Sequence, residues 1–429
     1  MKRFFNYRPH INIEGGVLVK ISIGVITKDF DSLEPIDEFL ENASKHNHEI
    51  YSIIIVYSHG CDFRLVKTLE KQVKVFLAKI NDIPEIKEQL IKTGLSTENI
   101  EILLSCPTLK KYGKVPYGLN RNYALIKALL SGSEVLVFID TDVYPRVLVK
   151  KDDEVKEKEI DFIGRHLEYL KKEEVIITTS DYSGYYIIPP MSFTGMKELF
   201  IGLQKEDAYE FLRNSEEHNC LSLDNDKKRK IFETDKILGG NVAIKLRALK
   251  ELPPFFSTVY NVNGENVLSR GEDTLLGIKL IKSDKKCIDI DTKIFHNTFG
   301  NYPEIPNIKK DKSIKDRFYY TCLGWIGRNP FLNWLKGEEL KEIRERQKKN
   351  IIAGSEAVAE YLDDQRFLIL PRALEISYGN LKQVINEYRK TLKAWSEFIN
   401  KIRKMGRVKN ENTNSKSFPP GGFGERSLH

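Results

Sequence analysis

Short aliphatic, β-branched runs alternate with longer amphipathic stretches over the first two thirds of the chain. Ile21–Thr27 (ISIGVIT) is largely apolar and ends in a polar cluster, as a buried strand does. Ser52–Tyr57 (SIIIVY) repeats the pattern and closes on Ser58-His59-Gly60. Ile100–Leu104 reads as a third strand and Val135–Ile139 (VLVFI) as a fourth. Between them, Leu33 to Ala43 carries Ile36, Phe39 and Leu40 at helical spacing. Phe63 to Leu95 is charged and helical, and Asn122–Leu130 predicts another helix. Strands separated by helices pair in parallel, so the pattern predicts an α/β sheet.

Val175–Thr179 adds a strand, followed by an aromatic stretch from Tyr182 to Phe193. Gly239–Lys245 (GGNVAIK), Gly271–Ile281 and Cys287–His296 continue the domain. The charged segments Lys150 to Glu174 and Lys205 to Lys236 read as surface helices and loops inserted into it. From about Asp311 the pattern turns helical. Leu381–Lys404 places Leu381, Val384, Ile385, Tyr388, Leu392, Trp395, Phe398, Ile399 and Ile402 on one stripe. Such a stripe needs a partner surface. Packing on protein, with the helical region from Glu338 to Leu362 as receiver, suits Trp395 and Phe398 better than membrane contact. From Gly406 the chain is polar and holds Pro419-Pro420-Gly421-Gly422, which predicts a disordered tail.

Composition narrows the class. The 429 residues exceed one typical domain of about 100–150, so a main domain with additions is expected. A hydrophobic share of 41% supplies a large core and argues against overall disorder. No run of about 18 apolar residues exists, and the first residues hold no apolar core, so neither a transmembrane helix nor a secretory signal is expected. The five cysteines show no CxxC spacing and read as reduced thiols in the cytoplasm. The net charge of +7 is concentrated near the end: from Lys336 onward there are 19 Lys and Arg against 13 Asp and Glu. That excess suits an anionic partner, a membrane surface or a phosphorylated acceptor, and equally suits a solvated face.

Candidate chemistry centres on Val137-Phe138-Ile139-Asp140-Thr141-Asp142. Two carboxylates leave the carboxyl end of a hydrophobic strand, where open α/β sheets bind ligands. Both stay ionised most easily beside a cation, and hard oxygen ligands select Mg2+ or Mn2+. A strand ending in Asp is also an ordinary turn or helix cap. Gly271-Glu272-Asp273 opens a helix. Its acids either stabilise the helix dipole or act as a general base at an acceptor hydroxyl. His296 closes a strand-like run after both acidic motifs, and a neutral imidazole there can complete an ion's shell alongside Asp142.

Taken in order, ISIGVIT, IIIVYSHGCD, GLNRNYAL, FIDTDVYP, GGNVAIK, RGEDTLLGIKL and FHN resemble the nucleotide-sugar glycosyltransferases of the GT-A fold. The chain looks closest to the large family 2 group, over roughly residues 20–297. The resemblance implies a Rossmann-like, mixed but mostly parallel sheet with a C-terminal helical extension. It implies that Thr27 and Asp29 contact the base. Asp62 resembles the last acid of the family's Asp-Gly-Ser-x-Asp turn, which reads Tyr57-Ser58-His59-Gly60-Cys61-Asp62 here and lacks the usual first Asp. Arg121-Asn122 looks like the pair beside the sugar diphosphate. Asp140 and Asp142 match the metal-binding DxD motif, with Asp140 also serving the donor, and Asp273 matches the base of inverting members. Tyr319-Tyr320 to Arg328-Asn329 resembles an element of bacterial rhamnosyltransferase-like members.

The expected organisation is a leader over 1–18, a nucleotide-sugar-binding half over 19–145, an acceptor-binding half over 146–310, a helical extension over 311–405 and a tail over 406–429. The expected reaction is metal-dependent, inverting sugar transfer from a nucleoside diphosphate sugar to a hydroxyl acceptor. That acceptor is a glycan, a lipid-linked molecule or a small molecule. The expected setting is cytoplasmic, with peripheral membrane contact and a homodimer as open alternatives and no nucleic-acid partner. Four other readings compete with it, one of them a sugar-phosphate nucleotidylyltransferase, which would need a Gly-rich, Arg-containing loop where Thr27-Lys28-Asp29-Phe30 stands. A retaining enzyme would use Asp273 only to position the acceptor. A haloacid-dehalogenase-type phosphatase would need a Thr or Val where Tyr144 stands. A scaffold protein would carry the acidic motifs without turnover.

Overall fold

The fold was read from a computed structural model, which describes residues 13–14, 17–80, 83–104, 117–151, 154–185, 187–213, 221–222, 230–248, 252–281, 285–300 and 302–414. Seven main strands build the central sheet: β1 Ile21–Thr27, β2 Ile50–Tyr57, β3 Val75–Lys79, β4 Val135–Ile139, β5 Val175–Gly184, β6 Asn241–Lys245 and β7 Lys286–His296. Their spatial order is 3-2-1-4-6-5-7. β1 pairs in parallel with β2 and β4, β2 with β3, and β5 with β7. β6 alone among the seven runs antiparallel to both neighbours. Short strands Phe232–Glu233 and Val143–Tyr144 flank β7. The α/β sheet follows the alternation of elements, and its mixed, mostly parallel pairing is the one the resemblance implies.

Why the strands read as continuous apolar runs follows from burial on both faces. Ile21, Ile23 and Val25 of β1 join Ile53, Ile55, Val137 and Ile139 on one face, under the Glu34–Lys45 and Phe162–Leu170 helices. Ile54, Val56, Leu136 and Phe138 point the other way, against the Tyr117–Ser131 helix. The strand period of two therefore serves two cores at once. Three of the cysteines, Cys61, Cys287 and Cys322, are free thiols, as expected.

Some expectations fail. Ile100–Leu104 is not a strand but the second half of the helix Thr97–Leu104. Ile100, Leu103 and Leu104 share one buried face at i, i+3, i+4 spacing, and an apolar run this short cannot be told from a strand by pattern alone. The third parallel strand is instead β3 (VFLAK), inside the stretch Phe63 to Leu95 expected to be all helix. That stretch contains the helices Phe63–Leu69 and Pro84–Lys92 on either side of it. An antiparallel hairpin, Arg146–Lys151 with Glu154–Glu159, likewise runs into Lys150 to Glu174 ahead of its helix. The second hairpin strand (EVKEKE) is exposed throughout, so no apolar period announces it.

Four helices follow: Lys312–Lys336, Leu340–Leu362, Leu370–Gly379 and Leu381–Asn414. The last continues past the expected boundary at 405, while 415–429 lie outside the described residues. Trp395 and Phe398 are buried, so the apolar stripe packs on protein. The receiver differs from expectation. Both rings join Ile100, Leu104, Leu252 and Phe255 of the sheet domain, and Trp395 Nε1 donates to the Leu252 carbonyl at 2.9 Å. The Leu340–Leu362 helix uses Ile351 and Val358 against Leu199 and Phe200 instead. Among the described residues, no helix is long and apolar enough to cross a membrane.

Two outcomes follow from this packing. Trp395→Ala removes a buried ring and a hydrogen bond, so denaturant melts should show a loss of ~3–5 kcal/mol. The second concerns His166, fully buried against the sheet. Its Nε2–H donates to Asn241 Oδ1 at 3.2 Å, and its Nδ1 lies 2.8 Å from Thr178 Oγ1. Burial lowers its pKa from 6.5 to about 4. The unfolded chain therefore takes up a proton that the folded chain refuses. Stability should fall as pH drops from about 6.5 towards 4, by about 3 kcal/mol in all. Melts of wild type and His166→Gln across this window should differ in slope, with the variant flatter.

Candidate active site

The carboxyl ends of β1 and β4 and the amino end of β6 open on one cleft of about 1090 Å³. Thr27, Arg121, Asp140, Asp142, Asp273 and His296 all line it. Residues up to 269 positions apart in sequence thus meet at one edge of the sheet, because parallel strands deliver their carboxyl ends to the same side.

Arg121 organises this edge. Its guanidinium is almost fully buried, against the rings of Phe138 and Phe255. Nε donates to Glu272 at 3.0 Å, Nη1 donates to the Gly239 carbonyl at 2.6 Å, and Nη2 stands 3.8 Å from Asp140. One cation thereby ties together the β4 end, the β6 start and the helix Glu272–Ile281. Gly239 and Gly240 permit this closeness. A Cβ on Gly239 would lie 2.3 Å from Arg121 Nη2, and one on Gly240 2.1 Å from the Asp140 carboxylate.

Asp142 faces His296, with Oδ2 3.4 Å from Nε2. His296 donates from Nδ1 to the Tyr185 carbonyl at 2.9 Å, which leaves Nε2 turned to Asp142. Tyr182 stacks on the imidazole, with centroids 4.5 Å apart. Burial opposes the charged imidazole, but Asp142 and the Tyr185 carbonyl outweigh it and raise the His296 pKa. Burial likewise opposes the Asp142 carboxylate, and His296 with Arg317 holds it below the usual range. Asp140 moves the other way. Burial and the Asp142 charge push it up against the pull of Arg121.

Among the described residues, no group of three or more His, Cys, Asp or Glu side chains is placed to hold a metal ion. The arrangement is a half-site: a carboxylate and an imidazole in contact, with Asp140 beside them and open cleft in front. Mg2+ and Mn2+ fit such a half-site, since they bind through one or two carboxylates and fill the shell with waters and phosphates.

Of the other expected residues, Asp273 lies in the cleft. Its Oδ2 accepts from the Gly239 N–H at 2.9 Å and its Oδ1 from the Thr274 N–H at 2.7 Å. The neighbouring Glu272 is buried in the Arg121 pair, so the two acids divide the structural and the open roles. Thr27 donates to the Asp29 carbonyl at 2.7 Å at the cleft wall. Asp29 accepts from the Gly60 N–H at 2.8 Å and Asn122 brackets Phe255 through two hydrogen bonds; neither is part of the cleft lining. Asp62 caps the helix Phe63–Leu69 and is drawn to a pKa of about 2 by its hydrogen bonds to Arg64. It too is outside the lining. Lys28, Lys205, Arg270 and Arg317 line the cleft without having been singled out in the sequence. The signal available for Arg317 was its spacing from Arg328 on one helix.

Glu272→Ala leaves the Arg121 cation buried without its closest carboxylate. Thermal or denaturant melts should show a loss of ~3–5 kcal/mol, larger than that of an exposed acid such as Glu98→Ala.

No family model and no curated protein matches the chain. Solved structures similar to it include glucosyl-3-phosphoglycerate synthase from Mycobacterium tuberculosis with Mg2+ and uridine diphosphate, at 12% identity over 75% of this chain and 80% of that one, TM-score 0.36. A second is the mannosyltransferase PcManGT from Pyrobaculum calidifontis with GDP-Man and Mn2+, at 12% identity over 89% of this chain and 91% of that one, TM-score 0.39. A third is TarS 1–349 from S. aureus, at 13% identity over 87% and 92%, TM-score 0.35. The likeness is distant, and the residues described above stand on their own geometry. Glycosyltransferases are thus met again among similar solved structures, while membership of family 2 is not shown.

Proposed function

We propose that this protein is a metal-dependent glycosyltransferase that moves a sugar from a nucleoside diphosphate sugar to a hydroxyl acceptor with inversion. The observation that carries the reading is the Asp142–His296 contact beside Asp140, in the same cleft as the open carboxylate of Asp273. Residues 19–145 supply the donor half through β1 to β4, and residues 146–310 the acceptor half through β5 to β7.

Asp140, Asp142 and His296 are the residues that would hold Mg2+ or Mn2+, and the ion would supply Lewis-acid stabilisation of the negative charge on the departing diphosphate. Thr27 stands at the β1 end, where the donor's nucleotide enters the cleft. Arg121 keeps its contacts to Glu272 and the Gly239 carbonyl, and so fixes Asp140 and Asp273 relative to each other. Asp273 takes the proton of the acceptor hydroxyl as its oxygen attacks the anomeric carbon from the face away from the diphosphate. The Gly239 and Thr274 N–H groups hold the carboxylate in position throughout.

Asp142→Ala should reduce sugar transfer at least ~100-fold in a panel of UDP- and GDP-sugars, with a parallel loss of Mn2+ affinity by calorimetry. Full activity in excess EDTA would remove the metal from the mechanism. Asp273→Asn keeps the size and one acceptor oxygen but cannot take a proton. Turnover should fall ~10²–10⁴-fold with donor affinity little changed. NMR of the product should show an inverted anomeric centre, and a retained one would exclude Asp273 as the base.

A further inference from the structure

The Tyr319 to Asn329 element has no part in the chemistry so far. It lies on the Lys312–Lys336 helix, which turns Arg317, Tyr320 and Arg328 into the cleft at intervals of three and eight residues. Between them sits Gly324, whose missing side chain makes room for a fourth group. A Cβ there would lie 2.7 Å from Arg270 Cγ, and the Arg270 N–H donates to the Gly324 carbonyl at 3.0 Å. The Arg270 stem is laid across the helix, and its side chain joins Arg317 on the same wall.

Three acids near this helix are committed elsewhere. Asp316 pairs with Arg366 at 2.6 Å, Glu265 accepts from Tyr320 at 2.8 Å, and Asp207 pairs with Lys205 at 2.9 Å. Among the described residues, no ion pair within 4.0 Å joins Arg270 or Arg317 to a carboxylate. Arg317 Nη1 makes a long bond of 3.5 Å to the Thr298 carbonyl, and its Nε is buried with no hydrogen-bond partner. Burial and the neighbouring Arg270 weaken its hold on its proton, against the pull of Asp142 and Asp140. Two guanidinium groups without an ion pair within 4.0 Å, one of them with a buried, unpartnered Nε, form a site for an anion on this wall, and the fork of an arginine matches phosphate oxygens.

We propose that Arg270 and Arg317 form a phosphate-binding subsite for the acceptor, so that the sugar is transferred to a hydroxyl compound bearing a phosphate group. This rests on the glycosyltransferase reading above. The donor's nucleotide is assigned to the β1 end, where Thr27 and Lys28 line the cleft. Arg270 instead lies three residues before Asp273 in the chain, next to the proposed base. A phosphate held there brings the rest of its molecule to the carboxylate that takes the hydroxyl proton.

The test uses the full chain saturated with Mn2+ and UDP, or with Mn2+ and GDP if that is the nucleotide bound. It is titrated calorimetrically with inorganic phosphate, ribose 5-phosphate and ribose. Both phosphate probes should bind and ribose should not. Arg270→Gln and Arg317→Gln should each weaken phosphate binding about ten-fold or more, while nucleotide affinity changes less than about three-fold. If a glutamine variant loses its melting transition, the lysine variant carries the same comparison, and phosphate affinity must still fall while nucleotide affinity holds. Phosphate that competes with the nucleotide would assign the pair to the donor diphosphate and overturn the proposal. No phosphate binding to the saturated protein would also overturn it, with the glycosyltransferase reading intact. A wild type that binds neither nucleotide would overturn that reading, and this one with it.

Discussion

The buried ion pair between Arg121 and Glu272 is the constraint on which the cleft depends. A guanidinium this far from water is stable only if its donors are satisfied. Glu272 and the Gly239 carbonyl take the two close bonds, and Asp140 adds charge at longer range. Each partner comes from a different part of the chain. The requirement to neutralise one cation therefore fixes where the helix Glu272–Ile281 begins relative to the β4 end and the β6 start. Asp273, the next residue, is placed in the cleft as a consequence. Its bond from the Gly239 N–H closes the loop, so the same glycine backbone serves the structural pair through its carbonyl and the open acid through its N–H.

The sheet supplies the second constraint. Burial on both faces leaves only the edges and the strand ends to meet solvent. One end of the sheet carries the polar residues that the core cannot accept. β6 runs antiparallel, so its amino end, with Gly239 and Gly240 before it, arrives beside the carboxyl ends of its neighbours. A parallel strand there would have brought its carboxyl end, and the two glycines that clear space for Arg121 and Asp140 would have been at the far side.

The proposed metal site and the proposed phosphate site line one cleft. Asp142 lies against His296 with Asp140 beside it, where a divalent cation would add positive charge, and Arg270 and Arg317 make no ion pair within 4.0 Å among the described residues, where a phosphate would add negative charge. Ligands that bring such charge are stabilised, and neutral ones gain little. The C-terminal helices make the second site possible. Lys312–Lys336 provides the wall, and Leu381–Asn414 is anchored on the sheet domain through Trp395 and Phe398.

The sequence by itself determined most of the sheet. ISIGVIT, SIIIVY and VLVFI were legible because a strand buried on both faces is apolar at nearly every position, the buried Ser22 and Ser52 hydrogen-bonding each other. The carboxylates of FIDTD were legible for the same reason, since acids that follow such a run stand at its end. It could not separate Ile100–Leu104 from a strand, because a short apolar run satisfies helix and strand alike, nor find the exposed hairpin strand Glu154–Glu159, which buries nothing. Asp62 and Asn122 fit a motif in sequence, yet a cap bond and a backbone clamp occupy their side chains. Only the tertiary structure decided that Glu272 is the buried partner and Asp273 the open acid, because adjacent helical residues point about 100° apart and the position of Arg121 selects between them. It also decided that Arg270 and Arg317, 47 positions apart, share one wall, because Gly324 lets one stem cross the other's helix.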